Sequence, residues 1–256
     1  MGRRPRYGRC RDGALEPALR KGSRVTARAM DIGGIARPGE IDAIFFDFDG
    51  VLAESNEVKI EAFRRLYEPY GQDVVTEVIE RHVQQEGVSR VVKLESFHRD
   101  LLGIELDEGG LADLAQTFSD LVEDAVVACH AVPGAIAALD VWAAHCPLFV
   151  VSGTPQDELR RIIGRRGMEG YFQTVYGSPR KKPDIVGEKL GDLGVDAARA
   201  LFVGDSLTDY DCARDVGTHF LGRVPSWRTS RFPDGTVVVE DMWPLAQAGG
   251  GEGAGG

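Results

Sequence analysis

The sequence lacks the features that mark membrane, secreted and zinc-finger proteins. Its apolar runs fall well short of the roughly 18 residues that a membrane-spanning helix requires, and its N-terminal region has no continuous apolar segment of the kind found in secretory signals. Only four cysteines occur in 256 residues, and none forms a CxxC pair; they are Cys10, Cys129, Cys146 and Cys212. We therefore predict reduced, mostly buried thiols and a cytoplasmic protein without a membrane partner.

Positive charge is scarce outside the N-terminal region. Residues 1–40 hold ten Lys or Arg against four Asp or Glu, a balance of +6, whereas the whole chain has a formal charge of −10 at pH 7, which leaves −16 for the remainder. The negative charge of residues 41–256 argues against nucleic acid as a partner. Residues 1–40 also lack hydrophobic periodicity, so we predict a disordered basic arm, with Met30 as an alternative start, and the Gly-rich residues 246–256 predict a flexible tail.

The stretch Ile41–Leu52, IDAIFFDFDGVL, combines a buried strand with two acids. Its apolar run ends at the turn residue Gly50, as in the strands of a parallel sheet. Asp47 and Asp49 lie two residues apart, so an extended chain would place them on one face at the carboxyl end of the strand, where open α/β sheets bind ligands. Unpaired buried charge is costly, and no Lys or Arg is near in sequence, so the two acids indicate a cation or phosphate site.

The hydrophobic pattern changes twice after this strand. Residues 55–130 hold four segments with helical spacing and no strand, and we expect the fourth helix to span 107–129 with a break at Gly109 and Gly110. Strands and helices then alternate from residue 131 onward, the pattern of a parallel sheet covered on both faces. The prediction is an α/β protein with a Rossmann-like parallel sheet core and a four-helix cap inserted after the first strand, the core being 41–54 and 131–245 and the cap 55–130.

Three later segments of the predicted core also carry polar side chains at their ends. Ser152 follows LFVV, Lys182 lies in the basic loop SPRKKPD, and Asp205 and Asp209 follow ALFVG. Because parallel strands share one carboxyl edge, we expect these groups to meet the two acids of the first strand. Carboxylates there would hold a divalent cation such as Mg²⁺, with the hydroxyl and the ammonium on an adjacent phosphate. Taken singly, Ser152 would also fit as a helix cap and Asp209 as a first-turn helix acid.

Together these segments resemble the four motifs of the haloacid dehalogenase-like hydrolases, in the phosphoglycolate phosphatase and β-phosphoglucomutase-like subgroup with a helical cap. DFDGVL resembles the first motif, VVSGT the second, the Lys182-Pro183 pair the third and FVGDSLTD the fourth, over about residues 41–222. The resemblance implies a Mg²⁺-dependent phosphatase that hydrolyses a small phosphorylated metabolite through an aspartyl-phosphate intermediate. A sugar, cyclitol or short acid phosphate, including phosphoglycolate, is the expected substrate, and a monomer or homodimer the expected state.

The same resemblance implies a role for each motif residue. Asp47 would be the nucleophile, and Asp49 the general acid and base. The implied ligands of Mg²⁺ are Asp47, the backbone carbonyl of Asp49, Asp205 and, directly or through water, Asp209. The implied ligands of the phosphoryl oxygens are Ser152, the amide of Gly153, and Lys182.

Substrate choice and the alternative activities depend on other residues. Lys59 lies about one helical turn past the first motif, and Arg90 ends EGVSR, which resembles the loop of β-phosphoglucomutase whose Arg grips a distal phosphate; both are candidate specificity residues. This loop keeps a phosphosugar mutase open as an alternative, although the mutase has Glu directly before its motif-four Asp, where this chain has Gly204. A receiver-type phospho-acceptor module is a remote alternative, because that fold needs about half of this chain and has no helical insertion.

Overall fold

The computed structural model of the protein describes residues 38–85 and 87–249. The predicted basic arm up to residue 37, with Cys10 and Met30, and residues 250–256 of the predicted tail lie outside the described residues. Glu86, the first residue of EGVSR, also lies outside them.

One parallel sheet organises the described residues, with six strands in the order β3-β2-β1-β4-β5-β6. This is the strand order of a Rossmann-like fold, and the predicted fold class is confirmed. The strands are β1 Ala43–Phe46, β2 Leu148–Pro155, β3 Thr174–Ser178, β4 Ala200–Gly204, β5 His219–Arg223 and β6 Val238–Val239.

Five α-helices lie between β1 and β2, and the first four of them form the insertion. These inserted helices are α1 Asn56–Tyr67, α2 Gln72–Gln84, α3 Arg90–Phe97, which continues as a π-helical turn His98–Leu102, and α4 Glu108–Ala128. The predicted break in the fourth helix is wrong. Gly109 and Gly110 lie in its first turn, where the Asp107 side chain accepts a hydrogen bond from the Gly110 amide and so stabilises the start of the helix.

The remaining helices cover the sheet. They are α5 Ala135–Trp142, α6 Gln156–Arg165, α7 Lys182–Leu193, α8 Leu207–Val216 and α9 Trp243–Gly249. The alternation of β1 shows why both faces must be covered: Ala43 and Phe45 pack into one hydrophobic cluster, whereas Ile44 and Phe46 pack into the other. All four side chains are fully buried, so β1 is held rigidly in the middle of the sheet.

The predicted flexible tail begins too early. Residues 246–249 belong to α9, which packs against α5, and Leu245 is fully buried. The indole Nε1 of Trp142 donates a hydrogen bond of 2.9 Å to the carbonyl of Leu245. The small residues 246–249 have no helical pattern of their own in the sequence. Their helix is stabilised by packing against α5.

The thiols of the described residues agree with the prediction. Cys146 and Cys212 are buried, Cys129 is half-buried, and all three are free. Burial raises the pKa of both Cys146 and Cys212 to about 12, which makes them inert core residues. Among the helices that the structure describes, none has the length and apolar character that crossing a membrane demands.

Candidate active site

The predicted motif residues lie together at the carboxyl edge of the sheet. β1 pairs in parallel with β2 on one side and with β4 on the other, so the three strands end side by side. Asp47 directly follows β1, Asp205 directly follows β4, and Ser152 lies in the second half of β2. Lys182, the first residue of α7, reaches the same edge with its ammonium group. The fold therefore brings four separate sequence segments into one site.

A buried ion-pair network connects Lys182 to two of the acids. Its Nζ lies 2.6 Å from Oδ1 of Asp209 and 3.2 Å from Oδ2 of Asp47. The Asp209 carboxylate also accepts hydrogen bonds from the amide and the hydroxyl of Ser206, at 3.1 and 2.6 Å, in a capping box at the start of α8. Asp209 is thus a first-turn helix acid whose carboxylate also contacts Lys182, and its role as a metal ligand stays a prediction.

Three carboxylates are placed where they would share a cation. Asp47, Asp205 and Asp209, the acid triad, each have one carboxylate oxygen within 4.8 Å of the others. Oxygen ligands from several carboxylates suit a hard divalent cation, and the haloacid dehalogenase-like motifs generally use Mg²⁺. The side chain of Asp49 is turned instead towards Lys59, which is consistent with a backbone-only contribution from Asp49.

Gly50 lets the side chains of Asp205 and Asn56 approach the turn that follows β1. Its φ of +70° is in the left-handed region, and a Cβ at this position would collide with the carboxylate of Asp205 and the side chain of Asn56. Asn56 Nδ2 donates a hydrogen bond of 2.8 Å to Oδ2 of Asp205, which holds this half-buried carboxylate in place. The residues present therefore fit a metal site, because the glycine lets the Asp205 carboxylate lie against the turn that follows Asp47 and close to the other two acids.

Asp49 is fixed by a separate set of donors. It forms an ion pair with Lys59, and it accepts hydrogen bonds from the hydroxyls of Ser55 at 2.6 Å and Thr154 at 2.9 Å. Lys59 also donates to Thr154 Oγ1 at 2.9 Å. The candidate specificity residue Lys59 thus lies at the site and contacts Asp49 and Thr154, and its role in substrate choice stays a prediction.

Ser152 and Gly153 lie inside β2 and do not begin the next helix. The helix α6 starts at Gln156, and Ser152 Oγ accepts from the Thr154 amide at 3.2 Å and donates to Asp49 Oδ2 at 3.5 Å. A Cβ on Gly153 would lie 3.0 Å from the carbonyl oxygen of Gly87, so the second motif touches the loop before α3. The helix-cap interpretation of Ser152 is therefore wrong.

Arg90 lies at the site, but its donors are already engaged. Its Nη1 and Nη2 bind the two oxygens of Glu158 at 2.6 and 2.7 Å, and Nη1 also donates to Ser119 Oγ at 2.8 Å. The guanidinium lies 4.3 Å above the ring centre of Phe118. This bidentate pair connects α3 with α6, so Arg90 joins the inserted helices to the core, and its contact with substrate stays a prediction.

Burial and charge set the protonation states of these groups. Burial raises the pKa of the Asp47 carboxyl above its ordinary value, against the lowering effect of Lys182. Burial also works to raise the pKa of Asp49, but Lys59 and the two hydroxyl donors lower it to about 2. Burial opposes the charge of Lys182, yet the carboxylates of Asp209 and Asp47 raise the pKa of this lysine. A divalent cation on the acid triad would favour the ionised, nucleophilic form of Asp47.

A cavity of about 50 Å³ lies between the acids and the inserted helices. The inserted helices and the loop before α3 line it with Lys59, Phe63, His82, Arg90, Lys93 and Phe118. The sequence alone did not identify His82, Lys93 or the two aromatic rings as site residues. In the sequence, these residues have the spacing expected of an ordinary helix core. Only the fold shows that they face Asp47, Asp49 and Asp205.

Comparison with known proteins gives the same family as the motifs. The family model for haloacid dehalogenase-like hydrolases matches residues 44–223, and the chain belongs to this family. The 6-phosphogluconate phosphatase of Escherichia coli is 24% identical over 69% of this chain and 80% of its own length. The phosphoglycolate phosphatase of Rhodospirillum rubrum is 28% identical over 75% of this chain and 82% of its own.

The fold is also that of solved relatives. The crystal structure of CbbY from Rhodobacter sphaeroides in complex with phosphate superposes with a TM-score of 0.63 at 21% sequence identity. The match covers 81% of this chain and 96% of CbbY. A similarity at this level of identity establishes a shared fold.

Proposed function

We propose that this protein is a Mg²⁺-dependent phosphomonoesterase that forms an aspartyl phosphate on Asp47. The observation that carries the proposal is the position of Asp47 at the mouth of β1, buried, 3.2 Å from Lys182 and within the acid triad. A carboxylate in such a place is oriented for attack on a phosphorus atom whose charge is balanced by the lysine and by a cation. The names of the two relatives support a small phosphorylated metabolite, a sugar, cyclitol or short acid phosphate, as the substrate.

The proposed reaction has two displacements at phosphorus. An oxygen of Asp47 attacks, the bond to the leaving oxygen breaks, and Asp49 gives that oxygen a proton. Asp49 then takes a proton from water, which attacks the aspartyl phosphate, releases inorganic phosphate and regenerates Asp47. Asp49 begins ionised beside Lys59, so it must first take up a proton from solvent or from the monoanionic phosphate ester, which it can do when the negative charge of the entering phosphate raises its pKa.

The phosphoryl oxygens would be bound opposite the nucleophile. The hydroxyl of Ser152, the amide of Gly153 and the ammonium of Lys182 are the proposed donors, and preorganised donors of this kind stabilise the charge of the transition state. Mg²⁺ would be held by Asp47, Asp205 and Asp209 with the carbonyl of Asp49. When bound, the ion would supply positive charge to the transferring group.

The inserted helices, residues 55–130, are proposed to act as a cap domain over a core of 41–54 and 131–245. Three contacts support this: Lys59 with Asp49, Arg90 with Glu158, and the loop at Gly87, where a Cβ would collide with the side chains of Ser206 and Thr208. A lid so close to the acids would exclude water from the reacting groups. The cytoplasm is the proposed setting, which the free thiols support, with the protein as a monomer or homodimer.

Phosphosugar mutase activity is the weaker alternative. The mutase has Glu at the position of Gly204, and a Cβ on Gly204 would collide with the side chain of Asp209. Because Asp209 is itself bound to Lys182 and Ser206, a glutamate there would require the site to rearrange. The packing at Gly204 therefore favours the phosphatase.

A phosphate-release assay tests the proposal. The purified protein should release phosphate from p-nitrophenyl phosphate and from at least one of 2-phosphoglycolate, 6-phosphogluconate, glucose 6-phosphate and inositol 1-phosphate, and EDTA should abolish the release. Activity that is unchanged in EDTA, or no turnover of any of these esters, would contradict it. Interconversion of glucose 1-phosphate and glucose 6-phosphate without net phosphate release would establish the mutase instead.

A further inference from the structure

The start of α1 binds carboxylates that follow two different strands of the core. Ser55, directly before α1, and Lys59, in its first turn, both contact Asp49 after β1. Asn56, the first residue of α1, contacts Asp205, which directly follows β4. The inserted helices therefore begin with one contact set on the proposed acid and base and another contact on a proposed metal ligand.

The side-chain amide of Asn56 restrains the Asp205 carboxylate. Its Nδ2 lies 2.8 Å from Oδ2 of Asp205, and both side chains are half-buried. Because a carboxylate only accepts hydrogen bonds, the contact requires Nδ2 at this place and turns the amide oxygen away. A donor on one oxygen limits the rotation of the carboxylate, so less side-chain freedom is lost when a cation binds. The amide does this without adding a positive charge of its own that would repel the cation.

A second contact joins the inserted helices to the loop after β4. Gly87, in the loop before α3, has a φ of +79°, and a Cβ there would collide with the hydroxyl oxygens of Ser206 and Thr208. The Ser206 hydroxyl in turn donates a hydrogen bond of 2.6 Å to Oδ2 of Asp209. The inserted helices thus reach two members of the acid triad, Asp205 directly and Asp209 through Ser206.

We propose that Asn56 is a positioning residue of the metal site, and that docking of the inserted helices onto the core thereby tightens the binding of Mg²⁺. The inference rests on the proposed Mg²⁺-dependent function and adds to it the residues that hold the ligands in place. Asn56 acts through the carboxylate of Asp205 and is not itself a ligand of the ion. By linkage, Mg²⁺ favours the docked helices by the same factor by which docking favours Mg²⁺.

The affinity for Mg²⁺, measured without turnover, tests the role of Asn56. Isothermal titration calorimetry of the whole protein, stripped with EDTA and then desalted, gives the Kd of the ion. Asn56→Ala should raise this Kd by about 10-fold or more, as expected when a residue that orients a metal ligand is removed. Gln116→Ala is the matched control, because Gln116 Nε2 donates an equivalent hydrogen bond of 2.8 Å to Asp120 on the exposed face of α4. The Kd of this control should stay within about twofold of the wild type.

Gly87→Ala tests the contribution of docking. The added methyl group must displace the loop before α3 from Ser206 and Thr208, so the Kd of Mg²⁺ should rise by about fivefold or more. Gly103→Ala is the matched control. Gly103 also belongs to the inserted helices and has a φ of +66°, but a Cβ there meets nothing within 4 Å. It imposes a similar backbone strain without the collision, and it should leave the Kd within about twofold.

Two further measurements separate positioning from a loss of fold. The melting temperatures of Asn56→Ala and Gln116→Ala in EDTA should be similar, because each variant loses one hydrogen bond outside the fully buried core. Excess Mg²⁺ should restore most of the turnover of p-nitrophenyl phosphate by Asn56→Ala, since the substitution weakens binding of the ion and leaves the reacting groups in place.

The outcomes distinguish the inference from the function on which it rests. If the wild type binds no Mg²⁺, the proposed metal-dependent function itself fails. If the wild type binds Mg²⁺ and Asn56→Ala binds it as tightly, or if excess Mg²⁺ does not restore turnover by Asn56→Ala, the positioning role of Asn56 is overturned. Equal Kd values for Gly87→Ala and Gly103→Ala would overturn the coupling between docking and the metal site.

Discussion

Asp47→Asn should lower kcat for p-nitrophenyl phosphate by about 10⁴-fold or more, because an amide is not a nucleophile towards phosphorus. The fold should survive. Asn retains the side-chain oxygen that accepts a hydrogen bond of 2.7 Å from the Phe48 amide, and Lys182 keeps Asp209 as a charged partner. The measurement is steady-state kinetics with saturating Mg²⁺, together with the thermal melting temperature of both proteins.

Asp211→Asn is the matched control for this variant. Asp211 lies on α8, two residues after Asp209, and forms an exposed ion pair with Arg214. Its replacement should leave kcat within about twofold, as expected of an exposed charge outside the site. Activity of Asp47→Asn within tenfold of the wild type, with an unchanged melting temperature, would remove Asp47 from the reaction.

Glu158→Gln should destabilise the protein by about 3–5 kcal/mol, because it leaves the Arg90 guanidinium buried without its carboxylate. The side chains of Glu158 and Arg90 are 3% and 5% exposed, so solvent cannot replace the lost interaction. The pair also joins α3 of the insertion to α6 of the core, and its loss should weaken the packing of α3 against α6. Urea unfolding followed by circular dichroism gives the free energy of unfolding.

Two further variants test whether the burial of the Arg90–Glu158 pair causes the loss of stability. Glu123→Gln breaks the exposed pairs of Glu123 with Arg161 and Arg165, and it should cost no more than about 1 kcal/mol. The double variant Arg90→Met with Glu158→Leu removes both buried charges and should recover most of the stability lost in Glu158→Gln. Equal losses of unfolding free energy in Glu158→Gln and Glu123→Gln would mean that the buried ion pair contributes no more to stability than the exposed pairs.

The sheet and the acidic site residues could be predicted from the sequence because both have recognisable local sequence patterns. The apolar runs of β1, β2 and β4 are each followed by polar residues, and parallel strands must end at one edge. That rule brings Asp47, Asp205 and Lys182 together without any knowledge of distances. The four motifs then identified the family that the family-model match over residues 44–223 confirms.

The side chains that the inserted helices contribute to the cavity left no comparable signal in the sequence. His82 and Lys93 belong to different helices, and their contact depends on how α2 and α3 pack, which hydrophobic periodicity does not specify. Arg90 was predicted as a substrate contact, but its partner Glu158 lies 68 residues further along the chain and nothing local connects the two. Likewise, the order of residues 246–249 comes from packing on α5 and not from their own composition.

If the phosphoryl group passes through Asp47, the covalent intermediate can be trapped during turnover. Wild-type protein turning over p-nitrophenyl phosphate with Mg²⁺ is quenched in acid, digested and analysed by mass spectrometry, with Asp47→Asn as the control. We expect a phosphorylated peptide that contains residues 41–52, with the modification on Asp47 and none in the control. A phosphoryl group on any other residue, or the same peptide in the Asp47→Asn protein, would contradict it.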